Sequence, residues 1–209
     1  DLSATTCAFG YRDSAFKSRW KGRYVVLAMT LRLPQGKPAP AAYAELRRAL
    51  EAKEGDATLA QIRDVVLEMR RRKGMVVDPN DADSRSAGSF FVNPIIQAEE
   101  LAAMEQRSEQ SGARQKEEAL PFHPIGKDQI KLPAAWLMEH AGFKKGHVHG
   151  AVGISNKHAL ALINRGGGTA QEIIALAQEI REGVFEHFGI WLAPEPRFVG
   201  FASPPFPAE

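Results

Sequence analysis

Cysteine is almost missing from this sequence: Cys7 is the only one among 209 residues. A single cysteine cannot form an intrachain disulfide, which fits a reducing compartment. Because no CxxC partner stands near it, we interpret Cys7 as a buried structural thiol. Long hydrophobic runs are also missing, so no segment is predicted to cross a membrane. No signal peptide is recognisable, and we expect a cytoplasmic protein.

Charge of one sign is in short supply too. The 27 lysines and arginines exceed the 25 acidic residues by two, which gives a formal net charge of +2. A nucleic-acid-binding domain usually has a larger and more clustered basic excess. The dense basic run from Arg70 to Lys73 by itself indicates a solvated helix end, since cations suit a helix C-terminus. We therefore predict no nucleic-acid partner.

The length allows one large domain or two small ones, and the first residue is Asp1 rather than Met. We therefore expect a fragment boundary, a processed end or an incompletely observed chain at this point. Alternating apolar side chains predict a strand from Tyr24 to Leu33. Three prolines and a glycine follow between Pro34 and Pro40, and they predict a linker or domain boundary.

Two helices have strong start signals. Thr58–Arg70 and Thr169–Phe188 each begin with a threonine followed three residues later by glutamine or glutamate, as in a capping box. Apolar residues then recur along one face of each helix, and Gly74 is predicted to end the first. The glycine run Gly166–Gly168 before the second helix could cradle a phosphate, but we favour a plain loop.

The remaining pattern mixes short helices and strands. A helix is predicted from Pro133 to near Gly142, and a strand pair is predicted at His147–Ser155 and Ala159–Asn164. Gln106–Lys116 is so polar that we interpret it as a mobile surface excursion. Strands and helices do not alternate regularly, which favours an α+β fold.

Three segments place polar groups where folding alone does not require them. The first runs from Phe9 to Lys17 and contains Arg12. Its planar guanidinium can hold a carboxylate through two parallel hydrogen bonds. The alternative is a loop that Arg12 and Asp13 merely tie down.

The second segment, from Ser86 to Pro94, places Ser89 between a glycine and two aromatic residues. A hydroxyl in such an apolar setting can protonate a carbanion formed beside it; the alternative is a serine-rich turn before a buried strand. The third segment, from Ile190 to Phe198, carries Glu195 between two prolines, which hold the chain rigidly. This acid either lies fixed in a pocket or is simply solvated.

Taken in order, GYRDSAFK, AGSFFVNP, KLPAAWLMEHAGFKKG and WLAPEPRF resemble the successive signatures of the UDP-N-acetylenolpyruvoylglucosamine reductases. The resemblance covers the chain from about Phe9 to Gly200. It implies the end of a flavin-binding α+β domain followed by a smaller α+β substrate-binding domain. On that basis residues 1–34 and about 189–209 are the C-terminal remnant of the flavin-binding domain and a closing tail. Residues 35–188 then form the substrate-binding domain with its tyrosine loop.

The resemblance also implies roles for residues at matching positions. The catalytic set comprises the serine that protonates the substrate and two further polar groups: Ser89, Arg12 and Glu195. Four residues are implied to bind the substrate, the first in a mobile loop over the UDP portion and the others toward the diphosphate: Tyr43, Lys73, Asn93 and Lys131. Three are implied to lie near the cofactor: Arg70, Arg197 and Tyr11.

The implied reaction reduces UDP-N-acetylglucosamine enolpyruvate to UDP-N-acetylmuramate for peptidoglycan, in a monomeric enzyme with FAD as cofactor and NADPH as co-substrate. The family's Gly-rich segment around the flavin diphosphate has no equivalent here, and Ala193 stands where many members have glutamate. A non-catalytic UDP-sugar-binding fragment is therefore an alternative. Another flavoenzyme of the same fold is a third, against which AGSFFVNP and APEPRF argue. No metal site is predicted, because His147 and His149 lack an evident third ligand.

Overall fold

The structure is a computed structural model that describes residues 1–10, 13–36, 41, 43–51 and 57–206. The chain divides into two compact units, Asp1–Ala39 and Pro40–Glu209. Helices and antiparallel sheets are both present, so the predicted α+β class is confirmed. The assignment of residues 1–34 and 189–209 to a flavin-binding domain, and of 35–188 to a substrate-binding domain, stays a prediction.

The first unit begins with a short helix, α1 (Ala4–Cys7), whose first turn is capped by the Ser3 hydroxyl. Cys7 is 7% exposed, as predicted for a structural thiol. Its carbonyl accepts a hydrogen bond from the Ala15 amide at 2.8 Å, and Ala15 is buried as well. This bond fastens the end of α1 to the turns that follow it.

The strand predicted at Tyr24–Leu33 is wrong. These residues have no regular secondary structure, and most of their apolar side chains are exposed, with Leu27 at 91% and Val25 at 83%. An alternating sequence becomes a strand only when a neighbouring strand completes its backbone hydrogen bonds. Within the described residues no strand pairs with this segment, so the alternation alone does not make one.

The second unit contains five α-helices among its described residues: α2 (Ala44–Glu51), α3 (Leu59–Arg72), α4 (Leu101–Gln110), α5 (Ala134–His140) and α6 (Ala170–Phe188). Two short 3-10 helices, Ala82–Ser84 and Ala98–Glu100, accompany them. The capping boxes predicted at the starts of α3 and α6 are both formed. Gly74 has the left-handed φ of 66° expected just beyond a helix end. The helix predicted from Pro133 is confirmed as α5.

Two antiparallel sheets complete the second unit. The first has the order β1 (Ser86–Ser89), β7 (Ala161–Asn164), β6 (Val152–Ile154), β5 (Val148–His149), and the second has the order β2 (Ile95–Gln97), β4 (Gln129–Lys131), β3 (His123–Ile125). The predicted strand pair is confirmed as β6 with β7, with Gly153 opposite Ile163. The first predicted strand is in fact two short ones, because β5 and β6 fold back on each other.

The core forms where α6 packs against the first sheet. The helix buries one continuous apolar face, made of Leu176, Ala177, Ile180, Val184 and Phe188. Buried residues of β6, β7 and α5 belong to the same cluster. Full burial of an aliphatic or phenylalanine side chain stabilises a fold by about 1.5–3 kcal/mol, so α6 is the principal anchor of this unit.

The mobile surface excursion predicted at Gln106–Lys116 is corrected by the structure. Its first half is the end of α4, and its second half wraps around Arg114, which is 7% exposed. The Arg114 guanidinium donates to the Ser108 hydroxyl at 3.1 Å, pairs with Glu109 and donates to the Glu118 carbonyl. The polar residues therefore satisfy one another around a buried cation, which polarity in the sequence does not reveal.

Candidate functional site

Ser89 lies at the end of strand β1, where the pairing with β7 changes register. Ser86 pairs with Ile163 and Ser89 pairs with Ala161, so β1 has one residue more than its partner over this stretch. Gly88 lies inside that irregularity at φ 85°, a conformation that favours glycine. An extra residue of this kind bends the strand and changes the direction of nearby side chains. The small-residue run thus forms an irregular strand end at which Ser89 is half-buried.

The segment that carries Glu195 runs beside the chain that follows Ser89. The Glu195 amide donates to the Phe90 carbonyl at 2.8 Å, and the Val92 amide donates to the Ala193 carbonyl at 3.0 Å. Two of the three polar segments singled out in the sequence are therefore neighbours, although about one hundred residues of chain separate them.

Buried side chains hold these two segments in place. Phe90 and Phe91 are 4% and 1% exposed, and their rings meet edge to face with centroids 5.1 Å apart. Phe91 also forms a bridge with Pro194, and Leu192 is fully buried. Because Ser89 is half-buried and Glu195 is exposed, both residues are accessible while the adjoining chain is anchored.

Asn93 is used in the fold as well as being a candidate ligand-binding residue. Its side-chain oxygen accepts from the Ala134 amide at 2.9 Å, in the first turn of α5. The Pro94 carbonyl accepts from the Leu132 amide at 2.9 Å, directly after Lys131, which ends β4 and is half-buried. Asn93 and Lys131 are therefore brought to the same end of α5, and their contact with a diphosphate stays a prediction.

Tyr43 and Lys73 adjoin two neighbouring helices, α2 and α3. Tyr43 directly precedes α2 and is 78% exposed. Lys73 follows α3, and its ammonium group donates to the Glu45 carboxylate of α2 at 2.6 Å. An exposed ion pair contributes at most about 1 kcal/mol, so an anionic ligand could displace Glu45 at little cost. The structure thus brings together the two chain regions that carry these predicted substrate-binding residues.

The end of α3 is fixed against the turns around the first sheet. A Cβ added at Gly74 would lie 2.9 Å from the Asp83 carbonyl oxygen, so only glycine fits this contact. Asp83 is buried and accepts from the Asn156 amide at 2.8 Å. Beside it, the Lys157 ammonium donates to Asp81 at 2.7 Å. This bond holds the pKa of Asp81 below and the pKa of Lys157 above their ordinary values.

The positive charges of two lysines act on the pKa of His158. Burial is the first cause that lowers its pKa below the ordinary value, and the charges of Lys73 and Lys145 lower it further. Its Nδ1 accepts from the Leu160 amide at 3.2 Å, which fits a neutral ring. Sequence reasoning missed this cluster, because the lysines are 72 residues apart and no motif connects them.

The glycine run before α6 is the plain loop that we favoured. The Asn164 side-chain oxygen accepts from the Gly166 and Gly168 amides at 2.9 and 3.1 Å. Glu172 accepts from the Thr169 amide at 2.7 Å, and this bond is the first cause of its lowered pKa. The Gly166, Gly168 and Thr169 amides thus bond acceptors within the chain, as in a plain loop, whereas a phosphate site would need such amides to face the ligand.

The other predicted site residues are exposed or undescribed. Arg70 lies in the last turn of α3 and Arg197 lies after Glu195, and both side chains are exposed. Tyr11 and Arg12 lie outside the described residues. The cofactor roles of Tyr11, Arg70 and Arg197, and the catalytic role of Arg12, stay predictions.

Clusters of metal-binding side chains and membrane-spanning helices are both absent from the part of the chain that the structure describes. No three histidine, cysteine or acidic side chains come together there in a way that could hold a metal ion. No helix there is both long and apolar enough to cross a bilayer.

Arg181 is a buried polar residue that sequence reasoning missed. It lies within α6 and is 2% exposed. A signal was available: position 181 falls four residues after Ala177 and three before Val184, and both belong to the apolar face. A lone cation in such a stripe indicates a buried charge with partners.

Comparison with known proteins first gives the class. Residues 78–199 match the family model for the C-terminal domain of UDP-N-acetylenolpyruvoylglucosamine reductase. That range contains both sheets, helices α4 to α6, Ser89 and Glu195. The second unit is therefore, for the most part, a reductase C-terminal domain.

Individual relatives then give the family. Three of these relatives, each named UDP-N-acetylenolpyruvoylglucosamine reductase, illustrate the similarity. The protein from Thermobifida fusca is 51% identical over 202 residues, covering 95% of this chain and 55% of the relative. That from Streptomyces coelicolor is 47% identical and covers 96% and 52%, and that from Mycobacterium tuberculosis is 42% identical and covers 95% and 54%. The chain belongs to the UDP-N-acetylenolpyruvoylglucosamine reductase family, and it spans about half the length of these relatives.

Proposed function

We propose that a protein containing this chain reduces UDP-N-acetylglucosamine enolpyruvate to UDP-N-acetylmuramate, as a monomer, in the cytoplasmic synthesis of peptidoglycan precursors. The observation that carries the proposal is the pairing of the Ser89 and Glu195 segments, with the Glu195 amide 2.8 Å from the Phe90 carbonyl. Family membership supports the same reaction, because the relatives are named for it.

The proton-donating step is assigned to Ser89. Reduction of the enolpyruvyl double bond adds a hydride at the carbon beta to the carboxylate and a proton at the alpha carbon. The Ser89 hydroxyl is the proposed donor of that proton. Its half-buried position, next to the buried Phe90, suits a general acid, since proton transfer requires a donor held within hydrogen-bond reach of the reacting carbon.

Charge stabilisation is assigned to Arg12 and Glu195. An enolate forms on the substrate carboxylate before the proton arrives, and cations or hydrogen-bond donors stabilise it. The Arg12 guanidinium is a fork that suits a carboxylate. Glu195 contributes either in its protonated form or bridged through a hydrogen-bond donor, because a bare carboxylate would repel the enolate.

Nucleotide binding is assigned to residues of the second unit. Tyr43 covers the UDP portion, and Lys73, Asn93 and Lys131 contact the diphosphate. The exposed Lys73–Glu45 pair at 2.6 Å supports this, because Lys73 can exchange one anionic partner for another. Such an exchange would also break the bond between Lys73 and Glu45, and so would release the start of α2, which Tyr43 directly precedes.

Cofactor binding rests on the resemblance. FAD would supply the hydride and NADPH would reduce it, with Tyr11, Arg70 and Arg197 near the flavin. The glycine run before α6 lends this no support, because the Gly166 and Gly168 amides already bond Asn164 and the Thr169 amide bonds Glu172.

Substitution of Ser89 tests the proposal in a flavin-loaded enzyme that contains this chain. Ser89→Ala is expected to slow oxidation of the reduced enzyme by substrate about 10²–10⁴-fold, while reduction by NADPH stays nearly intact. Ser86→Ala is the matched control on the same strand, since the Ser86 hydroxyl accepts from the Gly88 amide at 3.2 Å and has no proposed catalytic role. Equal slowing of both half-reactions would show that Ser89 has a structural role.

A second candidate function is a UDP-sugar-binding module without catalysis. The glycine run before α6 favours it, because three amides there already have acceptors within the chain. Mixing the purified chain with FAD and separately with UDP distinguishes the two functions. Bound yellow flavin supports the enzyme, whereas UDP binding without flavin binding supports the module.

A further inference from the structure

Arg181 is a buried cation in the middle of α6, where the surrounding face is apolar. It is 2% exposed, with Ala177, Ile180 and Val184 buried around it on the same helix. Removing a guanidinium from water is costly unless its donors and charge are matched inside the protein. The contacts that offset this cost therefore indicate what the residue does.

Arg181 contacts the chain that follows α6. Its Nε donates to the Leu192 carbonyl at 2.8 Å. Its guanidinium carbon lies 5.1 Å from the centroid of the Trp191 ring and 4.9 Å from that of Phe206. Both distances are within the range of cation–π attraction. One side chain thus contacts the Glu195 segment, at Trp191 and Leu192, and the chain beyond it, at Phe206.

That segment is the one that adjoins Ser89. The carbonyl bonded by Arg181 belongs to Leu192, one residue before Ala193, whose carbonyl accepts from the Val92 amide at 3.0 Å. A movement of Leu192 is therefore passed directly to the hydrogen bonds that place Glu195 beside Phe90.

Arginine is suited to this role in a way that lysine is not. A planar guanidinium can lie against aromatic rings while its edge donates to a carbonyl, and it is less strongly hydrated than an ammonium group. The Trp191 ring is itself stacked on Phe185, with centroids 4.2 Å apart and planes at 11°. Arg181 therefore closes a stack of rings that starts on α6.

We propose that Arg181 is a positioning residue, which sets the register of Glu195 against Ser89 through Leu192, Trp191 and Phe206. Its consequence for catalysis rests on the proposed function, whereas its effect on the backbone does not. Two measurements separate these parts.

Hydrogen exchange of the purified chain tests the backbone part. In Arg181→Lys, the Glu195 and Val92 amides are expected to exchange about tenfold faster or more, while amides of the α6 core keep their protection. Arg107→Lys is the matched control: Arg107 also donates to a carbonyl, of Glu186 at 3.0 Å, and lies over a ring, that of Phe185 at 5.3 Å. Unchanged exchange at Glu195 and Val92 in Arg181→Lys would overturn the proposal.

Half-reaction rates test the catalytic part in a flavin-loaded enzyme that contains this chain. Arg181→Lys is expected to slow oxidation by substrate about 10–10²-fold, as a small misplacement of catalytic groups does, with NADPH-driven reduction within about twofold. If Arg181→Lys does not fold, Phe206→Leu, which removes one ring, is expected to act in the same direction with smaller effect. Equal slowing of both half-reactions would reduce Arg181 to a stability residue. An unaltered enzyme that does not turn over the substrate would instead overturn the proposed function.

Discussion

Helix α3 and helix α6 begin with the same capping box, formed by Thr58 with Gln61 in the first and by Thr169 with Glu172 in the second. Beyond the first turn they differ. α3 buries none of its residues, whereas α6 buries six. Local start signals are therefore equally strong in both, and tertiary packing separates a peripheral helix from the anchor of the core. The two helices can be compared by changing one feature at a time.

Deletion of buried side-chain volume should give the largest difference. Ile180→Ala in α6 is expected to destabilise the fold by about 2–5 kcal/mol, because it removes a fully buried side chain and leaves a cavity. Ile62→Ala in α3, where the side chain is half-buried, is expected to cost about 1 kcal/mol. Chemical denaturation of both variants measures the difference. Equal losses would show that α3 is as important to the core as α6.

Removal of the caps should give an intermediate effect. Thr169→Ala is expected to lower the free energy of unfolding by about 0.5–2 kcal/mol. Thr58→Ala removes the same bond but should mainly fray the start of α3, because no buried residue ties that helix to the core. Denaturation together with amide exchange in the first turn distinguishes the two results. A global loss for Thr58→Ala as large as for Thr169→Ala would contradict this.

Acid should affect the two caps differently. The pKa of Glu172 is lowered, first by the Thr169 amide and then by the Thr169 hydroxyl. A carboxyl group whose pKa is lowered on folding contributes to stability. That contribution is fully present above the pKa of the unfolded state and is lost as pH falls through the pKa of the folded state. Glu172→Gln, which copies the neutral cap of α3, should remove this dependence below about pH 4.5. Thermal unfolding between pH 3 and 6 measures it, and unchanged acid sensitivity would oppose the assignment.

The charge that follows α3 should give the smallest effect. Lys73 is the second cause of the lowered pKa of His158, after burial. Lys73→Gln is therefore expected to move that pKa back toward its ordinary value, as measured by NMR titration of the ring. A histidine whose pKa is lowered on folding also contributes to stability. That contribution is fully present above the pKa of the unfolded state and is lost as pH falls through the pKa of the folded state. Lys73→Gln should weaken that loss, whereas Lys21→Gln in the first unit is the control and should not.

The sequence predicts what is local in this molecule. The caps of α3 and α6, the turn beyond Gly74 and the buried Cys7 follow from neighbouring residues, and the structure confirms them. The strand at Tyr24–Leu33 failed because alternation cannot say whether a partner strand exists. The polarity of Gln106–Lys116 misled because it does not show that Arg114 turns inward.

Sequence reasoning predicted which residues belong to the candidate site, but it did not predict how they are arranged in space. Resemblance selected Ser89 and Glu195, but the hydrogen bond between the Glu195 amide and the Phe90 carbonyl joins residues 105 positions apart. No residue pattern encodes such a contact, since it follows from how α6 and the first sheet pack. The Arg181 side chain, on the face that sequence reasoning assigned to apolar residues alone, donates to the Leu192 carbonyl, three residues before Glu195.

The extra residue in β1 leaves that strand no freedom to change its length. Ser86 and Ser89 are both held to β7, at Ile163 and Ala161, with Gly88 taking up the mismatch between them. Side chains along a strand alternate between its two faces. Loss of one residue here would therefore turn the Ser89 hydroxyl toward the opposite face of the strand. Insertions and deletions should be tolerated in the surrounding loops and refused in these four residues.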